Sequence, residues 1–239
     1  MPETVRMDAL FVLVHSPLVG PSTWTPVAAA LRALHRTAVV PSLLGVTDGP
    51  PPFWPSIADR VAGAVTDLSE GRPLVVVAHS NAGYFVPVIA EAVRRTSSVV
   101  AGCVIVDGAM PARTGPTPVV APGLLDRLLP RVVDGRLPPW SAWWDEDPGP
   151  LFPDEETRRA VEAEQPQLPL TYYDQQVPVP AGWDRAPCGY LRFSEHYEPA
   201  AREALDRGWA VAHVPGLHLH QLVDPEPVAA QLVAMTGGW

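Results

Sequence analysis

The residue in this chain best placed to do chemistry is a serine between small neighbours, where a strand-like run turns directly into a helix-like one. Leu74-Val75-Val76-Val77-Ala78 leads into His79-Ser80-Asn81-Ala82-Gly83. A turn that tight lifts the Ser80 hydroxyl above a sheet, and it needs small residues because strand and helix nearly touch there. Ala78 and Ala82 supply them. A helix running from Asn81 to Arg95 aims its N-terminus at any oxyanion formed beside Ser80, with the Asn81 N–H as a donor. A serine nucleophile needs a base. His218 follows the last strand-like run after Pro215-Gly216-Leu217 and precedes Asp224-Pro225, on a loop at the same sheet edge as Ser80. His220 is the second candidate, though it faces the closing helix. His213 lies inside the strand, and His79 and His15 are expected to pack beside the turn.

These side chains must be carried by a particular order of elements. Ala9–Val14, Thr37–Val40, Pro73–Ala78, Ala101–Val106, Gly189–Phe193 and Trp209–Val214 read as strands. Several are continuous apolar runs, the pattern of strands covered on both faces. Helical patterns alternate with them: from a Ser22 or Thr23 cap to Leu34, Ser56–Leu68, Asn81–Arg95, Glu198–Arg207 and Pro225–Met235. This alternation predicts right-handed crossovers and an α/β fold with a mostly parallel central sheet and helices on both faces.

Between the two halves the texture changes. Residues 111–186 are rich in proline and hold Trp140, Trp143, Trp144, Tyr172, Tyr173 and Trp183. Short helices are expected near Leu124–Val133 and Glu155–Glu164. An insertion at this point lands above the carboxyl ends of the strands, where parallel sheets bind ligands. The expected division is therefore a core of residues 1–110 and 187–239 with a cap over the site. Trp140, Trp143, Trp144 and Tyr172 are expected to line an apolar substrate pocket.

The first loop, His15-Ser16-Pro17-Leu18-Val19-Gly20-Pro21-Ser22-Thr23-Trp24, adds a family likeness. With its His, Gly and Trp spacing, the elbow at Ser80 and the final loop at His218 and Pro225, the chain resembles the α/β-hydrolase superfamily, in the branch of small esterases and hydroxynitrile lyases. The resemblance covers residues 9–110 and 187–236. It implies a sheet with the cap inserted after the family's sixth strand, here Ala101–Val106, and it places His15, Pro17 and Leu18 at the substrate. Two departures stand out. The family's second oxyanion N–H falls on Pro17, which has none, so the Ser16 hydroxyl or N–H or the Leu18 N–H must substitute. The family's acid position holds Tyr197, which leaves Glu195 nearby, or Asp107 after Val106, to orient His218.

Composition narrows the alternatives. The 239 residues carry a net charge of -9 and no lysine, which argues against a nucleic-acid partner and excludes a Schiff-base or P-loop lysine. Cys103 and Cys188 read as core residues rather than a disulfide or zinc pair. No cofactor or metal motif is present, so neither is expected, and no apolar run reaches the length of a membrane span. A cytoplasmic monomer or homodimer acting on a small molecule is the resulting expectation. The reaction expected is hydrolysis of an apolar ester, thioester or lactone through an acyl-enzyme on Ser80. The alternative is a lyase, cyclase or dehydratase that uses Ser80 and His218 for proton transfer.

Overall fold

The computed structural model describes residues 9–66, 68–69, 71–96 and 98–239. In chain order its first half contains β1 (Leu10–Val14), α1 (Thr25–Ala33), β2 (Ala38–Val39), α2 (Trp54–Thr66), β3 (Leu74–His79), α3 (Val86–Arg95) and β4 (Val100–Val106). The insertion holds β5 (Thr117–Pro118), α4 (Leu124–Leu128), α5 (Glu155–Ala163) and β6 (Gln176–Val177). The chain closes with β7 (Cys188–Arg192), α6 (Glu198–Asp206), β8 (Ala210–His213), α7 (His220–Val223) and α8 (Pro225–Thr236). The main sheet runs β2-β1-β3-β4-β7-β8, and every pairing in it is parallel. The insertion follows β4, and β5 pairs antiparallel with β6 inside it.

The apolar strand runs have a direct physical reason. Successive side chains of a strand point to opposite faces, and both faces here are covered. Leu10, Val12, Val14, Leu74, Val76 and Ala78 enter one core cluster, whereas Phe11, Leu13, Val75 and Val77 enter the other. The helix edges differ from expectation where local chemistry intervenes. Pro21–Thr23 forms a 3-10 turn and the Thr23 hydroxyl donates to Gly20 O, so α1 starts after Trp24 without a side-chain cap. The helix expected from Asn81 opens as a 3-10 segment, Ser80–Phe85, before α3. The one expected over Leu124–Val133 stops at Leu128 and gives way to a 3-10 turn at Leu129–Arg131, because Pro130 has no N–H to continue the α ladder.

The insertion is stitched into the body of the molecule. Val119, Leu137, Trp143, Leu168, Tyr172 and Val177 belong to the same cluster as one face of the sheet. Gln175 Oε1 accepts from the Phe53 and Trp54 N–H groups and so caps α2. Glu164 accepts from the Ser22 N–H and hydroxyl, and Arg94 donates to Trp183 O. Among the described residues no helix is long and apolar enough to cross a membrane.

Candidate active site

The end of β3 carries Ser80 in a strained conformation. Its φ is +59°, a left-handed value that costs a non-glycine residue about 1–3 kcal/mol. The surroundings hold it there. Ser80 O accepts from the Ala109 N–H at 3.0 Å, and a Cβ on Gly108 would lie only 2.7 Å from Ser80 O. A Cβ on Gly83 would lie 2.1 Å from Ala109 O, so the elbow and the loop after β4 pack backbone to backbone. The first N–H groups of a helical segment lack intrahelical partners, which leaves the Asn81 N–H available beside Ser80.

Three side chains from three separate elements meet above this turn. Ser80 Oγ donates to His218 Nε2 at 2.9 Å, and His218 Nδ1 donates to Asp107 Oδ2 at 2.8 Å. Asp107 is fully buried. Its other oxygen accepts from the Phe193 and Ser194 N–H groups, each at 2.9 Å, and Ser194 Oγ donates to Oδ2 at 2.8 Å. Burial pushes the Asp107 carboxyl upward, but the hydrogen bond and charge of His218 and the two backbone donors outweigh it and hold the pKa below the ordinary carboxylate value. The turn carrying Asp107 (φ +38°) is itself clamped: the buried Tyr190 hydroxyl donates to Gly108 O and accepts from the Gly108 N–H.

This geometry separates the candidates for acid and base. Glu195 is exposed at the start of a 3-10 turn, Glu195–Tyr197, and makes no bond to His218; the loop after β7 instead presents its N–H groups to Asp107. His220 is occupied elsewhere, edge-on to Phe193 and packed against Gly216. His213 sits at the sheet edge, bonded to Arg192.

Two further histidines brace the site. His79 Nε2 donates to His218 O at 2.9 Å, which steadies the loop that carries the base. Burial, with the neighbouring His218, lowers the His79 pKa to about 3, so its ring is neutral. His15 Nε2 accepts from the Leu43 N–H at 2.9 Å while Nδ1 donates to Ser16 O, and burial lowers its pKa to about 4. Both ring nitrogens of His15 are therefore spent on backbone, and it does not line the cavity expected for substrate.

Beside Ser80 lies a niche of about 10 Å³ lined by Ser16, Leu18, Val19, His79, Trp140, His218 and Leu219, enough for about one water-sized atom. Ser16 Oγ accepts from the Leu18 N–H at 3.2 Å. That bond uses up the Leu18 donor, and Ser16, which lines the niche, keeps a hydroxyl proton of its own. Pro17 is buried in this loop and contributes no donor.

With this geometry in view, comparisons with known proteins identify the family. A model described as the "Alpha/beta hydrolase family" matches residues 11–231. The chain belongs to that family. Among solved structures, an extracellular alpha/beta-hydrolase from a Paenibacillus species is similar at 15% identity and TM-score 0.73, covering 95% of this chain and 99% of that one. A pyrethroid hydrolase is similar at 18% identity and TM-score 0.70, covering 97% and 98%. Polyneuridine aldehyde esterase is similar at 13% identity and TM-score 0.72, covering 96% and 100%. A search of the curated proteins returned no match.

The insertion covers the space above the strand ends. A cavity of about 690 Å³ opens over Ser80 and His218. Leu18, Trp140, Trp143 and Trp144 are among its lining residues. Tyr172 is not: it is fully buried and donates to Asn81 Oδ1, while Asn81 Nδ2 donates to Val119 O. Tyr172 therefore ties the elbow to the insertion, and its neighbour Tyr173 reaches the cavity. Sequence reasoning also missed Tyr84, Val120, Leu217 and Tyr197 as lining residues. Tyr84 follows Ser80 by four positions, but the segment between them is a 3-10 helix with three residues per turn, so an α-helical register would not have placed it.

Proposed function

We propose that this chain is a serine hydrolase acting on small to medium, largely apolar esters, thioesters or lactones. One observation carries the reading: the continuous relay from Ser80 Oγ to His218 Nε2 at 2.9 Å and from His218 Nδ1 to Asp107 Oδ2 at 2.8 Å. Ser80 attacks the carbonyl as its proton passes to His218, and Asp107 holds the imidazole in the receptive tautomer and stabilises the imidazolium. The Asn81 N–H and the Ser16 hydroxyl receive the oxyanion in the niche. His218 then returns the proton to the leaving oxygen, and water repeats the sequence on the acyl-enzyme. The apolar cavity supports an apolar substrate and excludes bulk water from the acyl-enzyme.

The test is labelling with a fluorophosphonate together with turnover of p-nitrophenyl butyrate. Wild type should label at Ser80 and release nitrophenolate, and Ser80→Ala should do neither. An unlabelled wild-type Ser80 overturns the proposal. A second reading, a lyase or related non-hydrolytic reaction, draws on the oxyanion loop, where Pro17 lacks an N–H and the Leu18 N–H is spent on Ser16 Oγ. Labelling at Ser80 without turnover of any ester would favour it.

A further inference from the structure

The loop after β7 delivers no carboxylate to His218, and an aromatic side chain occupies that place. Tyr197 closes the turn immediately before α6. Its ring lies almost parallel to the His218 imidazole, 18° apart with centroids at 5.3 Å, and it lines the large cavity together with Ser80 and His218. The backbone that presents it is pinned, because Glu198, the first residue of α6, pairs with Arg192 at 3.1 Å. Burial and the Asp107 charge push the phenol's pKa upward and a hydrogen-bonding interaction with Ser80 partly offsets them, so the group is a neutral donor at ordinary pH. The niche that takes the oxyanion lies apart from it, and Tyr197 is not among the residues lining that niche.

We propose that Tyr197 is a further catalytic residue, whose phenol O–H hydrogen-bonds the leaving oxygen of the substrate on the cavity side of Ser80. The inference rests on the hydrolase reading above. In acylation the bond from Ser80 Oγ to the carbonyl carbon forms as the Ser80 proton moves to His218 Nε2. When the carbon–oxygen bond to the leaving group breaks, the departing oxygen keeps the bonding pair and takes that proton from Nε2. Tyr197 retains its own proton throughout and shares it with the departing oxygen while charge builds there. A poor leaving group, which carries that charge badly, depends on this contact most.

The experiment compares wild type with Tyr197→Phe, which keeps the ring against His218 and removes only the hydroxyl. The readout is kcat/KM over a series of ring-substituted phenyl butyrates, from p-nitrophenyl through phenyl to p-methoxyphenyl. The variant should lose roughly tenfold or more on the p-methoxyphenyl ester, in keeping with the loss of one donor to developing charge, and progressively less towards the p-nitrophenyl ester. Equal losses across the series would assign Tyr197 to placing His218 alone, and no loss anywhere would leave the hydroxyl without a role; either result overturns the inference. Wild type that turns over none of the esters brings down the hydrolase reading itself, an outcome distinct from a variant that fails to discriminate among esters wild type does cleave.

Discussion

Replacing Asp107 by asparagine tests its proposed role as the acid, and the structure dictates what the new side chain does. One carboxylate oxygen is fixed by the Phe193 and Ser194 N–H groups, so the asparagine oxygen must stay there and its NH2 must take the place of Oδ2. That NH2 faces His218 Nδ1, which donates in the native chain. Two donors cannot share the contact, so the imidazole shifts to the tautomer with its proton on Nε2, pointing at Ser80 Oγ. The base can then no longer accept. A lost tautomer of this kind costs about 10⁴ in kcat, or about 5.5 kcal/mol of barrier. Because asparagine matches the shape of aspartate and keeps both backbone hydrogen bonds, folding should survive. The assay is p-nitrophenyl butyrate turnover and the rate of fluorophosphonate labelling, with thermal melting as the control for folding. Glu195→Gln, at an exposed site, serves as the contrast and should stay within about twofold of wild type. If Asp107→Asn kept most of its activity while Glu195→Gln lost it, the assignment of the acid would be wrong.

Two further outcomes follow from the same geometry. His15 and His79 are held neutral with pKa values lowered to about 4 and about 3, whereas in the unfolded chain they protonate near the ordinary 6.5, so below that pH the unfolded state binds more protons and the fold loses stability as pH falls. Unfolding free energies from urea titrations between pH 6.5 and 4 should fall by up to about 1.4 kcal/mol per pH unit for each histidine, with the depressed Asp107 carboxyl adding to the loss at lower pH; a flat profile would contradict the placement of both rings. Gly83→Ala drives a Cβ against Ala109 O and should cost about 1–3 kcal/mol of stability, read from chemical denaturation, while slowing Ser80 labelling because the elbow and the Asp107 turn are forced apart.

Much of this architecture was legible because it is local or periodic. Strands covered on both faces need apolar residues at every position, so Leu10–Val14 and Leu74–Ala78 declare themselves without any partner being known. Ser80 and His218 were legible from the small residues around the first and the loop position of the second. The acid was not, because Asp107 and Glu195 both follow strands and sequence order does not say which strand end faces His218. The proposal of Asp107 rests on the β3-β4-β7 neighbourhood, where the loop after β7 donates its N–H groups to Asp107 and Asp107 pairs with His218. Of the two expectations for His15, packing beside the turn and a place at the substrate, only the first is met, because its ring is committed to the Leu43 N–H, 28 positions away. The Tyr172 expectation turned on which of two adjacent buried side chains, at the end of a 3-10 turn, reaches the cavity, a phase that only the packed neighbours set.

The ties between the insertion and the body bear on how a molecule gets in and out. A flap on a hinge can open wide and reshape itself around guests of many sizes. Here Gln175, Glu164, Trp183 and Asn81 fasten the roof at separate corners, so the chamber beneath should keep its dimensions when a guest enters. Chain-length preference among guests should therefore fall away as a step, at the size the walls permit, and passage should depend on the swing of a few rim side chains such as Trp144 and Leu217, both of which stand open to solvent.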